Sequence, residues 1–289
     1  MRRSFTVAVS ALVCVLGVSA GAQLSNKEAP VIVGHFHLNV TSVEAHKKFW
    51  VDTLGGTAEK IAGQDAIRFP DTVLLLRVQP PTGPTRGTAF DHIGFAVPDV
   101  PALTTKVVAN GYQLTTGREP APGQAAAAAT GTAAPYGRFS YLVGPDGAKV
   151  ELVTNEDKSG PPIKYHHVHF INKQYVEMQQ WYMKAFDATL RPGQTDFFIG
   201  ADLPSVGYSL NFFRWEGDQA VTHVPTAGRV YDHVGFEVRN LEEFCRKLEA
   251  KGIKLTVPYS KVPALNIAHA FVTDPWGVSI ELTEGLDRR

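Results

Sequence analysis

A short apolar strand opened by a histidine occurs four times in this chain, as Gly34-His35-Phe36-His37-Leu38, Asp91-His92-Ile93-Gly94-Phe95, His166-His167-Val168-His169-Phe170 and Asp232-His233-Val234-Gly235-Phe236. Recurrence of one local pattern marks an internal repeat, and it sets an imidazole at the same point of each unit. After each strand come a helical pattern, a glycine and shorter β-like segments. In unit one, Thr41 or Ser42 can cap a helix carrying Val43, Phe49, Trp50 and Leu54 and closed by Gly55-Gly56. The helix of unit three runs near Tyr175 to Phe186, and units two and four offer Ala102 to Ala109 and Leu241 to Ala250. From His35 to Phe49 is 14 residues, as is His167 to Trp181, so units one and three align without gaps. Pro145 stands six residues before Glu151 and Pro275 six before Glu281, each opening a last strand.

Strand alternation divides the side chains between two faces. With Phe36, Leu38 and Val40 turned to the helix, His35, His37 and Asn39 share the other face; in unit three that set is His167, His169 and Ile171. The second face is too polar for a dry core. Curved sheets with such faces enclose polar-lined cavities into which His and Glu from neighbouring units converge.

These features together resemble the vicinal oxygen chelate superfamily, which includes glyoxalases, bleomycin and fosfomycin resistance proteins and extradiol dioxygenases. The carriers are the four His-led strands, the helix ending Phe49-Trp50 to Leu54-Gly55-Gly56, and the run Asp-Pro-Trp-Gly-Val-Ser-Ile-Glu at 274–281. The resemblance implies an α+β fold of four βαβββ modules paired in sequence order into two domains, 31–156 and 163–285, with curved mixed sheets around cavities. It also implies two metal sites, His35 with His92 and Glu151, and His167 with His233 and Glu281. A 2-His-1-carboxylate set leaves coordination positions for substrate, water or dioxygen and suits Fe(II), Mn(II) or Zn(II). The family's further ligand position falls at Leu75 and Asn211, neither a carboxylate, which weakens a glyoxalase-type proton shuttle. Ring-cleaving members place a Tyr four residues before the Pro of the last turn; here Phe271 precedes Pro275 by four. His269 is a candidate substitute, and His37, His169 and Asn211 are candidates to touch substrate or support the ligands. His166 reads as structural, His46 as lying on an exposed helix face and His223 as lying in a loop.

The ends and the loops set the context. Arg2-Arg3, an apolar stretch from Phe5 to Val18 and Ala20-Gly21-Ala22 read as a signal peptide over 1–22, making the mature protein periplasmic or secreted. The 28 basic and 28 acidic residues balance, so nothing points to nucleic acid, and no membrane association is expected after cleavage. Cys245 alone remains in the mature chain and reads as a buried helix residue. Between Leu114 and Arg138 a Gly-, Pro- and Ala-rich insertion reads as a surface loop or a lid. The expected function is a metal-dependent enzyme on a small molecule with vicinal oxygens, dioxygenase-like or glyoxalase/lyase-like. The alternative is a non-catalytic sequestering protein of the bleomycin-resistance type.

Overall fold

The structure is a computed structural model and describes residues 29–117, 138–205, 209–215 and 223–286. The expected leader, 1–22, and most of the expected lid, 118–137, lie outside the described residues. Module one comprises β1 (Val31–Val40), α1 (Val43–Lys47) running into a π-helical turn at Lys48–Thr53, β2 (Thr57–Ile61), β3 (Gln64–Phe69) and β4 (Thr72–Val78). Module two follows with β5 (Phe90–Val97), α2 (Val100–Ala109), β6 (Gln113–Thr115), β7 (Phe139–Val143) and β8 (Lys149–Thr154). Module three holds β9 (Lys164–Asn172), α3 (Tyr175–Phe186), β10 (Thr189–Leu190), β11 (Phe198–Asp202) and β12 (Ser209–Arg214). Module four ends the chain with β13 (Tyr231–Val238), α4 (Leu241–Ala250), β14 (Leu255–Val262), β15 (Ile267–Thr273) and β16 (Ser279–Glu284). Four βαβββ modules and an α+β fold are thus as expected. Among the described residues, no helix is long and apolar enough to cross a membrane.

Caps and turns fix the helices where the sequence placed them. Ser42 Oγ accepts from the Ala45 amide at 3.2 Å, and Asp99 Oδ1 accepts from Ala102 at 2.9 Å, which starts α2 two residues before the expected Ala102. After α1 the wider π turn presents the adjacent Phe49 and Trp50 to one core, both with no exposed surface. Cys245 is buried in α4, and burial pushes its thiol up to about 11, so it serves as a core residue.

The pairing of modules differs from sequence order. One mixed sheet runs β14-β15-β16-β13-β1-β4-β3-β2 and joins module one to module four; the other runs β10-β11-β12-β9-β5-β8-β7-β6 and joins two to three. At each seam two first strands pair antiparallel, with His37 opposite His233 and His92 opposite His169. The seam also dictates a glycine. A Cβ on Gly235 would overlap the His35 ring, and one on Gly94 would overlap the His167 ring, so the His-x-Gly of modules two and four makes room for the histidine across the seam.

The apolar faces of the two sheets meet in one continuous core. Phe36 of the first sheet packs on Phe90 of the second at 5.8 Å between ring centroids, and Phe90 stacks on Tyr231 at 5.0 Å. Neighbouring modules are joined here through their helices. Trp50 lies 6.2 Å from both Phe69 of the first sheet and Phe95 of the second, and Phe186 of α3 stacks on Phe236 at 4.2 Å.

His46 corrects an expectation: it is buried, not on an exposed helix face. Because the helix of module one packs on module two, His46 Nδ1 accepts from Trp50 Nε1 at 3.1 Å and its Nε2 lies 3.1 Å from Asp146 Oδ2. Asp146, in the left-handed region at φ 57°, also accepts from the amide and hydroxyl of Thr41, each at 2.8 Å. Burial pushes its carboxyl up, but these donors and His46 outweigh it and leave it lowered. A carboxylate with a depressed folded pKa contributes stability above its unfolded pKa and loses it as pH falls through the folded value. Asp146→Asn, which keeps the turn conformation, should therefore lower stability at neutral pH and flatten its decline below about pH 4. Urea titrations from pH 7 to pH 3 read this out, and parallel pH curves for both proteins would refute it.

Candidate metal centres

Alternation sends His35, His37 and Asn39 of β1 to the face opposite Phe36, Leu38 and Val40, and the seam brings the first strand of another module beside them. Within the first sheet, His35 Nε2 stands 2.9 Å and His233 Nε2 3.1 Å from the same oxygen, Glu281 Oε2. The second sheet repeats this: His167 Nε2 lies 2.9 Å and His92 Nε2 3.0 Å from Glu151 Oε2. All six expected ligand residues are thus brought together, but in groups that differ from the expected ones. His35 joins His233 and Glu281, and His92 and Glu151 join His167, because the seams unite modules one with four and two with three.

Each Glu is placed by its own module. Glu281 sits in register with Gly235 on the adjacent parallel strand, and Glu151 with Gly94, two residues past the histidine in both cases. The same offset from His35 and His167 leads to His37 and His169, which face Leu75 and Asn211. The fourth position is therefore Leu75 in one centre and Asn211 in the other, as the sequence indicated. Asn211 Oδ1 is taken up by Arg191 Nη1 at 2.7 Å.

Two aspartates that the sequence reading left without a role orient the imidazoles. Asp232 Oδ1 lies 2.7 Å from His233 Nδ1, and Asp91 Oδ2 2.6 Å from His92 Nδ1. In a regular strand neighbouring side chains point to opposite faces. Register shifts between Phe90 and His92, and opposite His233 between His37 and Leu38, break that alternation. With Nδ1–H donated to the aspartate, Nε2 presents its lone pair to the centre. Asp91 is held in turn by Lys149 Nζ at 2.6 Å, and Asp232 by the Gly228 amide at 2.7 Å and Asn39 Nδ2 at 2.9 Å.

The electrostatics follow from burial and these partners. Burial pushes the two glutamates up, but their histidine neighbours hold both carboxyls well below the usual range. For His92 and His233, burial lowers the imidazole, and the aspartate and glutamate beside each more than offset it, leaving them raised. Burial leaves His167 lowered and, with the charges of His92 and His167, drives His169 well below its ordinary value. It also lowers His37 to about 3.

Around these donors the two centres differ. His37 Nε2 accepts from Gln64 Nε2 at 2.9 Å. Beside Glu281, the partly exposed His269 places Nδ1 3.8 Å from Oε1, and that carboxylate raises its imidazole. Tyr141 is a residue the sequence reading missed. It lies opposite Glu151 as Phe271 lies opposite Glu281, and burial together with the nearby Glu151 carboxylate pushes its hydroxyl up. Its sequence signal was present, since Tyr141 precedes Pro145 by four residues, as Phe271 precedes Pro275. His166 Nδ1 lies 2.8 Å from His167 Nδ1, and His223 Nδ1 3.1 Å from Asn172 Nδ2, outside both donor groups.

The donor sets fit a divalent transition metal. Within each group one atom per residue lies within 4.8 Å of all the others, from imidazoles and a carboxylate on buried strands. Comparison with known proteins agrees with the fold. The model of the Glyoxalase/Bleomycin resistance protein/Dioxygenase superfamily matches residues 32–137 and 123–282. The chain belongs to this superfamily. Among solved structures, glyoxalase I from Zea mays aligns at a TM-score of 0.63 and 17% identity, over 89% of this chain and 94% of that one. A candidate dioxygenase from Bacillus subtilis aligns at 0.60 and 13% identity, over 88% of this chain and 85% of that one. No curated protein matches the sequence. Superfamily membership thus rests on the sequence match, and the solved structures extend the likeness of fold over nearly the whole described chain.

Proposed function

We propose that the chain is an exported, metal-dependent enzyme acting at the His35–His233–Glu281 centre on a small molecule that presents two adjacent oxygens. The observation that carries this reading is the convergence of two Nε2 atoms on one carboxylate oxygen, at 2.9 and 3.1 Å. His35, His233 and Glu281 would hold a divalent ion, with Fe(II), Mn(II) and Zn(II) all compatible. When bound, the ion supplies Lewis-acid polarisation of both substrate oxygens and, as Fe(II), reactivity toward dioxygen.

The protein's own groups orient the site and move protons. Asp232 fixes the His233 tautomer, and Gln64 holds His37 beside the centre through its Nε2. His269, with 29% of its side chain exposed, is placed to exchange a substrate hydroxyl proton with solvent. Leu75 stands where a proton-shuttling carboxylate would be needed, which disfavours isomerisation, and Phe271 stands where ring-cleaving relatives place Tyr, so an oxygenase here would draw on His269. Export disfavours a cytosolic glutathione adduct as substrate. Simple sequestration has no need of two histidines and a glutamate converging on one point, with an aspartate orienting His233. A second reading, ring cleavage at the other centre, draws on Tyr141, which stands at the spacing ring-cleaving relatives use.

Dioxygen consumption by the Fe(II)-loaded mature protein with a panel of catechols tests the proposal. Uptake is expected, with a fall of about 100-fold in kcat for His269→Asn and no change for Tyr141→Phe. Loss in Tyr141→Phe alone would move the chemistry to the second centre, and no uptake with any catechol would overturn the oxygenase branch.

A further inference from the structure

We propose that His169 is a fourth protein ligand to the metal of the His92–Glu151–His167 centre, which makes that centre closed and leaves the His35–His233–Glu281 centre as the open one. The inference rests on the reading of both clusters as metal centres. Its starting point is an unsatisfied group: both ring nitrogens of His169 are buried and have no hydrogen-bond partner among the described residues. A neutral imidazole carries one N–H and one lone pair, and native structures rarely bury both unpaired.

The internal repeat supplies a control. His37 is the counterpart of His169, two residues past the first histidine of its module, and its Nε2 is taken by the Gln64 amide at 2.9 Å. Strand registers identify what replaces that amide. Ala66 faces Leu75 and Gly200 faces Asn211, so Gln64 corresponds to Phe198 and Arg77 to Phe213. The polar neighbours of His37 have thus become two aromatic rings around His169, with Phe213 edge-on at 4.3 Å and Phe198 at 6.3 Å between centroids. The His169 ring lies 4.4 Å from His92, as the His37 ring lies 4.6 Å from His233. What differs is that His169, left without a polar partner, has a donor atom within 4.8 Å of those of His92, Glu151 and His167, while His37 is not among the donors of the other centre.

The rest of the centre is built in the same sense. His92, His167 and His169 are at most 2% exposed and Glu151 7%. Tyr141 stands opposite Glu151 on the neighbouring strand, with its ring edge-on to His92 at 5.4 Å between centroids. Three imidazoles and one carboxylate on buried strands fill all four positions of a tetrahedral ion, as closed zinc sites do, whereas three donors beside the part-exposed His269 leave room for substrate.

Cobalt(II) titration of the metal-stripped mature protein tests this, because four-coordinate Co(II) absorbs visible light far more strongly than five- or six-coordinate Co(II). The expected result is two bound equivalents, one of them intensely coloured. His169→Ala should lose that colour and weaken one equivalent at least 10-fold, with His37→Ala leaving the colour unchanged. Phe198→Gln supplies an amide to capture His169 without removing a ligand residue, and should also bleach the intense band in a protein whose circular dichroism is unaltered. Gln64→Phe should do the reverse, adding a second intensely coloured equivalent. Two equivalents with spectra indifferent to His169→Ala and Phe198→Gln would overturn the fourth ligand while leaving two metal centres. No cobalt binding by the parent protein would overturn the metal reading itself, and this proposal with it.

Discussion

The double variant His35→Ala with His233→Ala should keep one of two bound metal equivalents at the parent's affinity, whereas His35→Ala with His167→Ala should weaken both. The two variants remove the same number and kind of side chains, so only the grouping of the histidines separates them. In the structure His35 and His233 converge on Glu281, and His92 and His167 on Glu151. Removing His35 and His233 strips one centre of both imidazoles, and a single carboxylate on a strand does not retain a divalent transition metal against a chelator. Removing His35 and His167 damages both centres, each left without an imidazole its glutamate faces. Metal analysis after gel filtration in a weak chelator measures the outcome. Grouping in sequence order, His35 with His92 and His167 with His233, would instead make His35→Ala with His233→Ala weaken both equivalents, and that result would refute the seam pairing.

The same contrast shows where the sequence stops being informative. Module boundaries, the spans of α3 and α4 and the division of β1 into a core face and a polar face are local properties, and local periodicity carries them. Which module pairs with which is not local. First strands are of two kinds, His-x-His in modules one and three and Asp-His-x-Gly in two and four, and each seam takes one of each. Pairing one with two would satisfy that rule as well as pairing one with four, because Gly94 and Gly235 sit in equivalent contexts. Asp91 and Asp232 escaped notice for a related reason: strict alternation turns the residue before a histidine away from it, and only the register shifts at the seams bring carboxylate and imidazole to one side. Tyr141 was legible from spacing to Pro145, and so was the loss of a carboxylate at Leu75 and Asn211. That His46 is buried was not, since it depends on the helix of module one leaning on module two.

Trp50→Ala should lower the unfolding free energy by about 3–5 kcal/mol and do so for both sheets in one transition. Trp50 has no exposed surface, and its ring lies against Phe69 in the first sheet and Phe95 in the second while its Nε1 donates to His46. Truncation leaves a cavity where the two sheets meet and strands the buried His46 nitrogen, which neither sheet can close alone. For a chain of this size the loss corresponds to a fall in Tm on the order of 10 °C. Trp50→Phe, which keeps a six-membered ring but loses the donor and part of the indole's volume, should cost about 1–3 kcal/mol. Because Trp50 contacts Phe49, Phe69, Phe95 and His46 and none of the donors, both variants should bind as much metal as the parent while folded. Calorimetry of the metal-stripped protein decides the point. If the core joining helix, first sheet and second sheet is one cooperative unit, a single endotherm moves down intact. A split into two endotherms, with only one displaced, would mean that the sheets hold themselves together and the helix of module one merely rests on them.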